Sequence, residues 1–527
     1  MTVTIANLPY SFCPTSASAS TKGFMFKNGY DAWFYSNATS TATQITDVDY
    51  PGYHTYSISS LTSVSTTATA TTSAAHGLAV NDSVTISGAS PAAYNGTYTV
   101  ATVADSTHFT YTFAGGTSPA TGTISAVGGR RTVPGIVYLD NTFYVMGENA
   151  VIYGSDLNDA TAWNALNFIG ANIEPGAGKA LAKSQSYVIA FKEWSTEFFY
   201  DAANAIGSPL SPVSNGFNLI GCASGDSVAN LDGMIFWISQ TRQKGRGVYM
   251  MQGLQEALIS TPDVERILNL STLATVYSFG VKIAGHAFYV LTLTDQNVTL
   301  VYDVVSKTWA QWSSLTAGAA VNVSSITLSD TTATVTTATA HGLSDGDPVN
   351  IAGAVQAAYN GIKVISYVST TSFTFQTTAG TTTPATGTIT ATPYTETYFK
   401  YTKYINALGK DLVQHETNGT LCELVETAYS DVGIPVNVLV RTGKFDGGTM
   451  NYKRFAAVEL IGNKVSANAY IRHTDDDYQT YSVYRPVDLS KQRSILRRCG
   501  AARRRSWEIK HVDATSLQIG ALELEIV

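Results

Sequence analysis

Along most of this chain, apolar positions alternate with Thr, Ser, Asn and Gln in short runs broken by Gly, Asn and Asp. A period of two marks half-buried strands joined by turns. The stretch from Phe288 to Trp312, FYVLTLTDQNVTLVYDVVSKTWAQW, shows it most plainly. Phe288 to Leu293, Val298 to Tyr302 and Thr308 to Trp312 read as strands, with turn residues between them. A three-stranded meander cannot bury both of its faces alone, so it needs neighbours. Helical patterning is scarce. TPDVERILNL predicts one short helix from Thr261 to Leu270, with Thr261 as cap, Pro262 in the first turn, and Asp263 and Glu265 at the positive end of the dipole.

Two kinds of repeat organise these strands. The clearer one pairs residues 62–128 with 324–391. HGLAVNDSVTISGASPAAYNGTYTV (His76 to Val100) matches HGLSDGDPVNIAGAVQAAYNGIKVI (His341 to Ile365), and PATGTI recurs at Pro119 and Pro384. Thr-rich alternation precedes both, from Thr66 and from Thr331. Each copy reads as a small β-module. Its Asn-Gly pair, Asn95-Gly96 or Asn360-Gly361, predicts a type I′ hairpin turn. His76 and His341 stand alone beside Gly-Leu and are read as structural rather than as ligands.

Setting the modules aside exposes a weaker repeat: a strand ending in an aromatic or apolar pair, then a turn. Its markers are Tyr35, Tyr153, Tyr200, Tyr249, Tyr302 and Leu421. Where no module intervenes the spacings are 47, 49 and 53 residues, and removing the modules brings the two long steps to about the same value. A 40–50-residue period with three or four strands per unit is the signature of a β-propeller, in which radial repetition leaves only short edges. The expected fold is therefore all-β. It is a β-propeller of about six or seven blades carrying two inserted small β-barrel or sandwich modules. Residues 1–61 form the first blade region, 129–323 further blades, and 392–527 the last blades and a C-terminal β region. Whether residues 453–486 form a seventh blade or part of a terminal sandwich is open at this level.

Composition narrows the function. The 527 residues are 44% hydrophobic but only 13% charged, about half the usual share. This balance suits a structural β protein or a member of an assembly. A net charge of −7 argues against nucleic-acid binding through bulk charge. The cysteines Cys13, Cys222, Cys422 and Cys499 are too dispersed for a zinc site or a disulfide framework. The opening MTVTIANLPYSF has neither the basic nor the apolar region of a signal peptide, and no apolar run is long enough to span a membrane.

Few constellations could carry chemistry. HTDDDYQTY (His473 to Tyr481) is the densest acidic spot. It resembles the Asp-box hairpin of many propellers, and it lacks the Gly that a calcium loop uses for its sharp turn. Arg497, Arg498, Arg503, Arg504 and Arg505 form the one basic cluster, a candidate for inter-subunit or phosphate contact. Only Trp507 lies close, too thin an aromatic presence for base stacking. Glu193, Glu197 and Asp201 are the carboxylates a glycosidase reading would use. Hydrolase, metalloprotease and P-loop motifs are missing, so no catalytic residue, metal or cofactor is expected.

Several long runs occur in order: RTVPGIVYLDNTFYVM, VIYGSDLNDATAWNALNFI, YVIAFKEWSTEFFYDA, IGCASGDSVANLDGMIFWISQ, ISTPDVERIL, VYDVVSKTWAQW, HTDDDYQTYS, RRCGAARRRSWEIKH and ALELEI. Over roughly Arg131 to Glu525, apart from the second module, they resemble the tail hub, or nozzle, protein of short-tailed bacteriophages, the packaged-DNA stabilisation family. The resemblance implies a structural virion protein, made in the host cytoplasm and placed in the tail as a homohexameric ring. That ring would dock on tail adaptor subunits below the portal and enclose the exit channel of the double-stranded DNA, without sequence-specific contact. The two modules are not part of that family pattern; their insertion between blades leads to the expectation that they decorate the outside and contact tail fibres or the cell surface. The competing expectation is a carbohydrate-binding or carbohydrate-cleaving propeller, a receptor-binding tail protein.

Overall fold

The computed structural model describes residues 10–16, 22–243, 245–407, 409–417 and 419–527. Residues 1–9, which hold most of the stretch read as lacking a signal peptide, lie outside the described residues. The chain divides into two compact units. One runs through Val281 and adds Ala287–Leu291 and Val304–Lys307; the other holds Lys282–His286, Thr292–Asp303 and Thr308–Val527.

The first unit is built from successive antiparallel meanders. Ser11–Pro14, Gly23–Lys27, Ala32–Ser36 and Thr41–Gln44 make one four-stranded sheet. Val137–Leu139, Thr142–Met146, Val151–Asp156 and Asp159–Gly170 make the next, and Gly178–Ser184, Tyr187–Lys192, Thr196–Asp201 and Leu210–Asn218 a third. In the fourth, Met234–Gln240 is flanked by Val248–Gln252 and Gln255–Leu258 on one side and by Gly221–Cys222 and Ala229–Leu231 on the other. Each sheet buries its apolar face against the next, which is how a lone meander obtains a core. Met25 and Phe34 pack with Phe143 and Val145. Tyr144 and Ile152 pack with Val188 and Phe199. Ile189 and Phe191 pack with Ile235 and Trp237.

Two buried lysines pin the connections between sheets. Both end the second strand of their meander, Lys27 in the first and Lys192 in the third. Lys27 Nζ donates to Thr132 Oγ1 at 3.2 Å and to the Val133 carbonyl. Burial drives its pKa down to about 7. Lys192 Nζ donates to the carbonyls of Ala171 and Glu174 and pairs with Glu197 at 3.0 Å.

Between the first two sheets the chain forms a closed barrel of six strands, from Tyr53–Val64 to Ser125–Gly129, around Val84, Ile86, Tyr94, Phe109 and Tyr111. In the second unit, strands from Val321–Ser329 to Thr390–Tyr398 enclose the matching core of Val349, Ile351, Tyr359 and Phe373. The histidines are structural in both copies. His76 Nδ1 accepts the Leu78 N–H and His341 Nδ1 the Leu343 N–H, each at 3.0 Å. The Asn-Gly pairs do not form type I′ turns. Asn95 and Asn360 have φ of −79° and −72° and close 3-10 turns. Each asparagine amide instead makes two backbone hydrogen bonds, to the N–H and carbonyl of Ala89 or of Ala354. Two bonds across a loop outweigh the local turn preference of the pair.

Val276–Ile283, His286–Leu293, Val298–Asp303 and Thr308–Ala317 are four successive strands that include the Phe288–Trp312 stretch. Val298–Asp303 pairs with Thr308–Ala317 antiparallel, as the turn at Asp303 predicts. Tyr401–Ala407, Lys410–His415 and Leu421–Glu423 form a three-stranded sheet. Five of the six sequence markers, Tyr35, Tyr153, Tyr200, Tyr302 and Leu421, fall on the third strand of their set, and Tyr249 falls on the fourth of its five, Val248–Gln252. The one α-helix among the described residues, Pro262–Leu270, is where expected, although the Thr261 side chain makes no capping bond.

The last region is a sandwich. Val438–Arg441, Ser506–His511, Asn468–Thr474 and Arg485–Asp488 form one sheet. Lys453–Gly462, paired by Ser494–Arg497, Ala501–Ala502 and Ile519–Ile526, forms the other. Both bury Phe455, Val458, Ile471 and Trp507 in one core.

Candidate functional site

The basic cluster belongs to this sandwich, and the fold separates its members. Arg505 sits just before the strand Ser506–His511 and is 2% exposed. Its guanidinium lies 4.7 Å from the Phe455 ring centre and 5.4 Å from that of Trp507. It meets Asp475 through two bonds of 2.7 Å and donates to the Cys499 carbonyl. A planar fork fits a carboxylate in this way. Arg504 pairs with Asp477 at 2.6 Å, and Lys444 reaches the same carboxylate at 2.9 Å. Arg503 is exposed and lies over the Tyr452 ring. Arg497 and Arg498 are exposed and make no ion pair among the described residues. Of the five arginines, Arg497, Arg498 and Arg503 therefore present charge to solvent, whereas Arg505 is enclosed.

The acidic hairpin explains part of that arrangement. Asp476 accepts from the Gln479 and Thr480 N–H groups and from the hydroxyls of Thr474 and Thr480. Hydrogen bonds from Thr480 hold its carboxyl down at about 2. Asp475 and Asp477 turn to Arg505 and to Arg504 with Lys444. The three carboxylates thus have separate partners, and no metal-ligating group of three is present among the described residues. His473 packs against Trp507, and burial together with Arg505 brings its pKa down to about 4.

A second network had no signature in the sequence. Glu508 is 1% exposed on the side chain and accepts from Arg441, Arg472 and Tyr484. Burial alone would raise its pKa, but the Tyr484 and Arg441 bonds and the Arg472 charge hold it below the ordinary range. Arg472 is stacked between Tyr481 at 4.0 Å and Tyr484 at 4.3 Å, and it reaches Asp345 of the second module at 3.1 Å. Lys510 Nζ donates to the Gly346 carbonyl at 2.8 Å. Val364 packs with Tyr470, Tyr484 and Val512. These contacts seat the module on the sandwich. Its members come from positions spread over more than a hundred residues, so no local motif announces them.

Two of the three carboxylates of a glycosidase reading, Glu197 and Asp201, have structural partners. Glu197 is buried in its pair with Lys192 and also accepts the Ile173 N–H at 3.1 Å. Asp201 accepts the Ala203 N–H of its own turn.

A family model described as bacteriophage P22 Gp10, beta-propeller, matches residues 19–325, more than half of the chain. The match takes in three of the four strands of the first meander, upstream of Arg131, and stops short of the sandwich. No curated protein matches the chain. Among solved structures, the computationally designed Ika8 protein is 10% identical, with 77% of this chain and 94% of that chain covered at a TM-score of 0.25. BamB from Moraxella catarrhalis is 9% identical over 70% and 97%, at 0.24. Scores of that size carry no argument.

Proposed function

The chain belongs to the family of the bacteriophage P22 Gp10 β-propeller, and from that premise we propose that it is the tail nozzle, or hub, of a short-tailed phage. A phage structural protein built of repeated meanders has the architecture this role needs. In the reading proposed here, copies of the chain form a hexameric ring below the portal. The ring docks on tail adaptor subunits and lets packaged double-stranded DNA pass without sequence-specific contact. The protein acts by assembly rather than by catalysis, and its two β-modules serve contacts with tail fibres or tailspikes.

The observation that carries the reading is the family match together with sheets that pack face to face in succession. The charge balance supports it. Binding DNA tightly needs many phosphate contacts by Lys and Arg, and a chain of net charge −7 offers few to spare. Arg497, Arg498 and Arg503 are the exposed members of the basic cluster and are assigned to inter-subunit or phosphate contact; Arg505 is enclosed in the sandwich, and Arg504 makes a half-exposed pair with Asp477. Native mass spectrometry of the purified chain, with and without tail adaptor protein, tests the reading. A hexamer that captures adaptor is expected. A monomer that ignores adaptor and hydrolyses bacterial polysaccharide would overturn it.

A further inference from the structure

The sheet of Tyr401–Ala407, Lys410–His415 and Leu421–Glu423 stops at three strands, whereas the meanders that start at Ser11, Val137 and Gly178 each have four. Leu421–Glu423 pairs with Lys410–His415 on one side. No strand among the described residues pairs with its other side. An open edge offers unpaired N–H and C=O groups to any extended chain. Leu421 is 60% exposed on that edge.

Beside the edge lies a cavity of about 460 Å³, walled by Trp312, Phe399, Val413, Leu424, Val436 and Leu439. It is of ordinary ligand-pocket size. Cys422 and Glu423, from the open strand itself, also line it, so edge and cavity are one feature. Its charged lining residues are Glu423 and Asp431, and no Lys or Arg lines it. Glu423 is paired with Lys410 at 2.7 Å. Among the described residues the donors to Asp431 are neutral, the hydroxyls of Ser314 at 3.0 Å and of Tyr401.

We propose that this edge and cavity form an acceptor site for an extended strand of a partner protein, one with apolar side chains at alternate positions and a Lys or Arg that meets Asp431. Main-chain bonds to Leu421–Glu423 would supply the fourth strand. Alternate side chains would enter the cavity, the usual division between affinity and specificity in strand addition. The acidic lining selects a cationic guest and disfavours nucleic acid. The site does not depend on the nozzle reading, since it rests on one sheet and its cavity.

The test uses the full chain and two fluorescein-labelled, capped peptides, Thr-Val-Thr-Arg-Thr-Val-Thr and the same peptide with Glu in place of Arg. Fluorescence anisotropy should show saturable binding, with the Arg peptide at least about tenfold tighter, equivalent to about 1.4 kcal/mol. Asp431→Asn should remove that preference. Val436→Trp, which fills the cavity, should abolish binding. The Arg peptide should also protect Cys422, half-buried in the lining, from alkylation. Protection of Cys422 in the unaltered chain decides the matter if Val436→Trp does not fold. Failure of both peptides to bind, or binding indifferent to Val436→Trp, would overturn the proposal. So would self-association of the chain that Val436→Trp disrupts while neither peptide binds, because the occupant would then be a second copy.

Discussion

Replacing Arg505 by Met separates the structural arginine from its solvent-facing neighbours. Met keeps much of the length and the apolar contact with Phe455 and Trp507 but removes the charge. Lost are the two-bond pairing with Asp475 and the bond to the Cys499 carbonyl. Hydrogen bonds that involve charged groups contribute about 1.5–3 kcal/mol each. The Asp475 side chain is 40% exposed, so it regains water and offsets part of the loss, unlike a fully buried orphan charge. The expected cost is about 2–3 kcal/mol. A chain with several compact regions need not unfold in one step, so a global midpoint is a poor readout. Hydrogen exchange by mass spectrometry on peptides covering Lys453–Gly462 and Ser506–His511 reads the sandwich directly. At 1.4 kcal/mol per tenfold, exchange should speed up by about 30- to 140-fold. A variant carrying Arg497→Gln, Arg498→Gln and Arg503→Gln should change sandwich stability by less than about 0.5 kcal/mol. The reasoning is refuted if Arg505→Met leaves exchange within about threefold of the parent while DNA or subunit binding drops.

Lys27 gives a pH prediction. Its folded pKa is about 7, mainly through burial, against the ordinary lysine value when unfolded. Between these values the unfolded chain binds more protons, so stability rises with pH from about 7 to about 10, and the full penalty applies below 7. Hydrogen-exchange protection of the peptide covering Gly23–Lys27, corrected for the intrinsic rate at each pH, should converge between Lys27→Met and the parent as pH rises through that window; a constant difference would show that Lys27 carries no shifted proton. Asn95→Ala removes two backbone bonds at Ala89 and should cost about 1–3 kcal/mol. Loss should be confined to exchange in the first barrel, and Asn360→Ala should act likewise in the second module; no change in either would put the loop's hold elsewhere.

The repeat was legible because propeller-like sheets must solve the same packing problem each time. Tyr35 and Leu421 both lie on the third strand of their sheets, although the strands around them share little else. The modules were legible from the motifs that two copies share in order, HGL, AAYNG and PATGTI. What failed was inference from a local motif where a distant partner decides. Asn-Gly reads as a tight turn, yet the asparagine amide is claimed by Ala89 six residues away. The arginine run reads as one basic patch, yet Asp475, thirty residues upstream, draws Arg505 inside. The alternating pattern of residues 453–486 fits a blade or a sandwich equally, and only the shared core of two sheets distinguishes them. The network of Glu508, Arg472 and Asp345 joins three separated segments, and no periodicity encodes it.

The central claim is that this chain builds the ring at the end of a phage tail, and electron microscopy of tailed particles with symmetry-resolved averaging tests it most directly. The account predicts sixfold density below the portal and adaptor, into which this chain's meanders fit, with DNA on the axis and both β-modules on the outside. Density for this chain in peripheral spikes away from the axis, or with its modules lining the channel, would contradict it.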